Sequence, residues 1–136
     1  MKNKTIKIFW ISLLIGYAFE FVLNALNIWA YDTLAYFLGV PVFIVFTWGF
    51  LLTGGFSLTK TVQKRYKLSL IKALSLIFIP SVIIFETIGS QVLGIVLNVD
   101  FPSLFPLTGC CRAPVALYVA YYLIALLAFR RFDKIR

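Results

Sequence analysis

The sequence contains no histidine. That excludes His-based metal sites, Ser-His-Asp and Cys-His nucleophile systems, and an imidazole base. Acids are scarce, with five Asp and Glu against thirteen Lys and Arg. Charged residues fill only 13% of the 136 positions, where a soluble domain carries about a quarter. The two cysteines, Cys110 and Cys111, are adjacent, which is strained for a mutual disulfide and too few for a zinc cage. They read most simply as small apolar residues at a helix entrance, with lipid attachment or an intermolecular disulfide as alternatives. There is no Gly-rich nucleotide loop, metal-ligand cluster or nucleophile elbow. We expect no cofactor and no bound metal.

What is present is apolar. Apolar and aromatic residues make up 62% of the chain, and mean hydropathy is +0.96. Too little polar surface remains to cover a water-soluble globule. The composition predicts an all-α integral membrane protein, with residues 1–136 forming a single membrane domain. Four stretches suit a span of roughly 20 apolar residues: about 8–29, 36–58, 73–96 and 113–129. The fourth is short, but Arg112 and Arg130 at its ends can snorkel outward. Pro41 and Pro114 fall near first turns, where proline fits, and Pro80 falls inside the third stretch, as membrane helices tolerate. The N-terminus resembles a signal peptide, with three lysines before an apolar run. We read it as an uncleaved first helix, because the chain stays apolar beyond Glu20.

Net charge is +8. Its placement is topological and does not indicate nucleic acid. Basic residues cluster at the N-terminus (Lys2, Lys4, Lys7), the middle connection (Lys60, Lys64, Arg65, Lys67, Lys72) and the C-terminus (Arg130, Arg131, Lys134, Arg136). Twelve of thirteen thus fall on one side, and only Arg112 on the other. The positive-inside rule places both termini in the cytoplasm, in a multi-pass protein of the cell membrane. The middle cluster can also touch anionic headgroups.

The halves resemble each other. Phe19-Glu20-Phe21 in the first helix matches Phe85-Glu86-Thr87 in the third. Val40-Pro41-Val42 matches Ala113-Pro114-Val115, and seven residues after each proline stands an aromatic, Trp48 or Tyr121. This predicts two parallel hairpin repeats forming a four-transmembrane-helix bundle, with a pseudo-twofold axis along the membrane normal. Glu20 and Glu86 follow Lys7 and Lys72 by thirteen and fourteen residues. Both therefore lie roughly 20 Å from the cytoplasmic end. An ionisable group at that depth is a functional hypothesis by default. Gly16, Glu20, Asn24, Asn27 and Tyr31 form one stripe on the first helix, and Ser75, Val82, Glu86 and Gly89 one on the third, with Ser90 and Gln91 beside it. Both stripes should face the bundle interior. The expected site is a polar pocket open to the outer side, with Glu20 and Glu86 catalytic. Tyr17, Asn24, Asn27, Trp48, Gln91 and Tyr121 contact substrate, and Tyr122 completes the wall. A neutral acid beside a carboxylate suits acid/base chemistry. The bland alternative is interhelical hydrogen bonding. Trp10, Trp29, Tyr31 and Tyr36 read as an interfacial belt.

Leu38-Gly39-Val40-Pro41 with Trp48 seven residues on, and Glu86-Thr87-Ile88-Gly89, resemble elements of the carotenoid biosynthesis membrane proteins that include the bisanhydrobacterioruberin hydratases. In those proteins the two elements are consecutive, whereas here they come from different halves. Heterodimeric-type lycopene cyclases are similar in having small all-helical subunits and a Gly-x-Pro helix start. Their paired acids after that proline are replaced by Val42, Phe43 and Ile44, which argues against cyclase chemistry. The resemblance covers about 45 mostly apolar residues. It implies an enzyme that protonates or hydrates an isoprenoid in the bilayer, with Glu20 and Glu86 as the acid/base pair and Trp48 and Tyr121 steadying a carbocation. Two other readings stand beside it. One is a non-catalytic subunit or assembly factor of a membrane complex. The other is a small proton-coupled transporter, since four helices with a glutamate in the first resemble small multidrug-resistance exporters. The one-sided charge argues against the dual insertion those proteins use. Expected partners are membrane lipids, a lipophilic substrate, and a homo-oligomer or membrane partner.

Overall fold

A computed structural model describes residues 2–26, 29–31, 36–37, 40–91, 95–97 and 115–135. The chain is helical, in the order α1 (Lys2–Ala25), β1 (Trp29–Tyr31), β2 (Tyr36–Phe37), β3 (Val40–Pro41), α2 (Val42–Tyr66), α3 (Leu70–Gln91), β4 (Ile95–Leu97) and α4 (Val115–Lys134). Among the described residues, Asn3–Ala25 and Val42–Tyr66 are long and apolar enough to cross a membrane. Leu70–Ile84 is a shorter apolar stretch.

Helix boundaries differ from the hydropathy reading. The first helix ends at Ala25 instead of running to Trp29, and α2 starts after Pro41 instead of at Tyr36. The described residues from Trp29 to Pro41 form short strands, which hydropathy does not predict. β1 pairs antiparallel with β4, Trp29 opposite Leu97 and Tyr31 opposite Ile95. β2 pairs with β3, Tyr36 opposite Pro41. Aromatic and β-branched residues suit such ribbons, and Pro41, lacking an N–H, ends one before the helix.

The basic middle connection is also mostly helix. Lys60, Lys64 and Arg65 lie on the last turns of α2, where cations complement the helix dipole. The turn to α3 is short. Lys67 takes a left-handed conformation (φ 51°), and Leu68 N–H donates to Gln63 O at 3.2 Å, closing the helix in a Schellman-type motif. Ser69 then starts α3, its Oγ accepting from Lys72 N–H at 3.4 Å. Pro80 sits inside α3, and Ser81 Oγ donates to Ile77 O at 2.7 Å one turn back.

Helices α1 and α2 pack closely because glycines face each other's partner. Gly16 lies against Trp48, and a Cβ at Gly49 would meet Leu13 Cδ2 and Phe9 Cε2 at 2.8 Å. Ile8, Ile44, Leu52, Phe56, Leu74 and Phe129 belong to the shared core. Phe56 meets Phe129 and Phe132 edge-on at 5.4 and 5.5 Å, which holds α2 to α4. Lys60 Nζ, 2.6 Å from Asp133 Oδ2, adds a surface ion pair worth under about 1 kcal/mol. Much of the outer surface is apolar. Leu14, Phe50, Leu76, Ile79 and Leu127 are exposed.

Thr59 on α2 is fully buried, and its hydroxyl has no hydrogen-bond partner among the described residues. A buried hydroxyl without a partner costs about 1–3 kcal/mol. Thr59→Val should therefore raise the unfolding midpoint in detergent, by about 1 kcal/mol of stability. A lower midpoint would mean that the hydroxyl has a partner, such as a buried water.

Candidate functional site

Glu20 lies five residues before the end of α1 and Trp48 on the second turn of α2. The close approach that Gly16 permits carries the indole up to the carboxyl. Trp48 Nε1–H donates to Glu20 Oε1 at 2.8 Å, and Glu20 is only 3% exposed. The bond spans two helices and fixes the carboxyl in an apolar surrounding. Either protonation state of the carboxyl can accept this bond.

Aromatic rings close around this pair. Phe19 lies edge-on to Trp48 at 5.7 Å and against Tyr121 of α4 at 5.0 Å. Trp48 and Tyr121 are themselves 5.4 Å apart. The site thus joins a buried carboxyl, an indole donor and two further rings, from three helices. Such rings attract cations over their faces, and the carboxylate form of Glu20 would reinforce that field.

Of the residues expected from sequence, Glu20, Trp48 and Tyr121 come together. Asn24 lies one turn beyond Glu20 and is half-buried. Tyr17 is half-buried and stacks on Phe21 at 6.2 Å. Tyr122 serves a different contact from the expected one. Its hydroxyl lies 3.0 Å from Ser75 Oγ and donates to Ile71 O at 3.4 Å, with its ring edge-on to Phe78, so it fastens α4 to α3. Glu86 and Gln91 belong to α3, but their side chains lie outside the described residues, as do Asn27, Cys110, Cys111 and Arg112. Phe19 was missed as a site residue. An apolar ring on an apolar helix carries no signal of its own.

Comparison adds no relative: the chain matches no family model, no curated protein and no solved structure.

Proposed function

We propose that the chain is a four-span membrane protein that binds a lipid or isoprenoid against Glu20, Trp48 and Tyr121 and handles a proton through Glu20, with Glu86 as its repeat-related partner. Both termini and the α2–α3 turn lie at the cytoplasmic face. Several features support the placement. The exposed side chains named above are those that lipid would solvate. β1 follows α1 and β4 follows α3, so their pairing sets the C-terminal ends of α1 and α3 at one end of the bundle, as parallel hairpin repeats require. The Lys60–Asp133 pair holds the basic end of α2 beside the basic end of α4.

The observation that carries the chemistry is the Trp48–Glu20 bond inside the ring cluster. A carboxylic acid that gives its proton to a carbon–carbon double bond leaves a carboxylate beside the new carbocation. The faces of Trp48 and Tyr121 would steady that cation. A second reading is favoured by the 3% exposure of Glu20: the bond is an interhelical fastener in a non-catalytic subunit.

Glu20→Gln separates the two. A glutamine carbonyl can still accept from the indole, so the fastener survives while the acid is lost. The test is mass spectrometry of lipids co-purifying with wild type, Glu20→Gln and Glu20→Gln/Glu86→Gln, with unfolding midpoints measured alongside. The expected result is an enriched isoprenoid or other lipid whose form changes in the variants while the midpoint holds. Bulk phospholipid only, identical in all three, would leave the fastener reading in its place.

A further inference from the structure

A second feature lies outside the ring cluster. Between α1 and α4 runs an open groove of about 300 Å³, bounded by Ile11 and Ile15 on one side and by Ile124, Leu127, Ala128, Arg131 and Phe132 on the other. Its wall is apolar except for Arg131. Ala128 and Phe132 are buried, and the small Ala128 side chain leaves the recess. From Ile124 to Arg131 the groove extends about 10 Å along α4, towards the basic end of the molecule.

Cations continue the groove beyond its apolar part. Lys4 and Lys7 precede Ile11 on the same stripe of α1, and Lys134 follows Arg131 on α4. Among the described residues the acid at this end is Asp133, and it is paired with Lys60. Arg131 is exposed and faces no acid among the described residues. The surface therefore has an apolar trough whose interfacial end is positively charged. A lipid has the complementary arrangement: an apolar chain with an anionic group at the membrane surface. A second copy of this chain would bring its own basic ends and a net charge of +8 to the same place, which disfavours it as the occupant.

We infer that the α1–α4 groove is a binding site for an anionic phospholipid, with an acyl chain along Ile11, Ile15 and Leu127 and the phosphodiester against Arg131. The guanidinium fork matches phosphate oxygens bidentately, which an ammonium cannot do. Lys7 and Lys134 add attraction without fixed geometry. The inference rests on the membrane placement proposed above and is independent of the chemistry at Glu20.

The test is native mass spectrometry of the full chain released from detergent with added dioleoyl phosphatidylglycerol, dioleoyl phosphatidylcholine or dihexanoyl phosphatidylglycerol. Wild type is compared with Arg131→Gln and with Arg65→Gln, a change of equal charge on α2 away from the groove. Wild type should retain the long-chain anionic lipid over both other lipids. Arg131→Gln should lower that retention by about tenfold, the loss of one charge-assisted phosphate contact. Arg65→Gln should leave it unchanged. Equal losses in both variants would show a general basic surface, and equal retention of long and short chains would show that the groove holds no acyl chain. Either result overturns the assignment. A chain that stays soluble and monomeric without detergent would instead remove the membrane placement itself.

Discussion

Gly16→Ala should destabilise the fold by about 3 kcal/mol, the upper end of what one added methyl costs in a packed interior. A Cβ at Gly16 would overlap the Cβ and Cγ of Trp48 and lie 2.8 Å from Cδ1. Those are the first atoms of the indole side chain, held by the α2 backbone, so they cannot swing away. Helices α1 and α2 must separate, and the Trp48–Glu20 bond opens with them. Gly54 is the internal control, because nothing lies within 4 Å of a Cβ placed there. Gly54→Ala should be stabilising by about 0.5–1 kcal/mol, through reduced backbone entropy in the unfolded chain. Unfolding in detergent of the two variants measures both signs at once. A neutral Gly16→Ala would mean that α1 and α2 do not meet at this glycine.

Trp48→Phe should cost about 1–3 kcal/mol, the range for removing one partner of a buried hydrogen bond. The variant keeps a ring beside Phe19 and Tyr121 but takes the indole N–H from Glu20 Oε1. Glu20→Gln, which retains an acceptor, should stay within about 1 kcal/mol of wild type. A double-mutant cycle with Glu20→Leu isolates the pair: Trp48→Phe should cost much less once the carboxyl is gone. Additive effects would show that the two side chains contribute independently, and the site would lose its organising contact.

The helical content was legible in hydropathy, and so was the core of the site. Gly16 and Glu20 share a face by helical periodicity, and both are buried. Trp48 stood out because it follows Pro41 by seven residues, and Tyr121 because it follows Pro114 by the same interval. Boundaries were less legible. Hydropathy drops where charges begin, yet α2 runs on to Tyr66 through Lys60, Lys64 and Arg65. A helix carries cations outward without losing any backbone bond, so charge marks the edge of an apolar span and not the end of a helix. The β1–β4 pair was illegible for a different reason: it joins segments some 65 residues apart, and three-residue strands have no periodicity to read. The sequence reading places Tyr122 on the site wall beside Tyr121. Its actual partner, Ser75, depends on how α3 and α4 pack, which no local pattern encodes.

The proposed membrane arrangement is the premise shared by the proposed proton chemistry at Glu20 and the proposed lipid site between α1 and α4. Single cysteines at Lys4, Lys64 and Lys134, with Cys110 and Cys111 replaced by serine, would report it. The measurement is labelling by a membrane-impermeant thiol reagent in right-side-out and inverted vesicles. All three positions should label in inverted vesicles and stay protected in right-side-out ones. Labelling of Lys64→Cys on the face opposite to Lys4→Cys, or extraction of the whole chain by alkaline carbonate, would contradict the account.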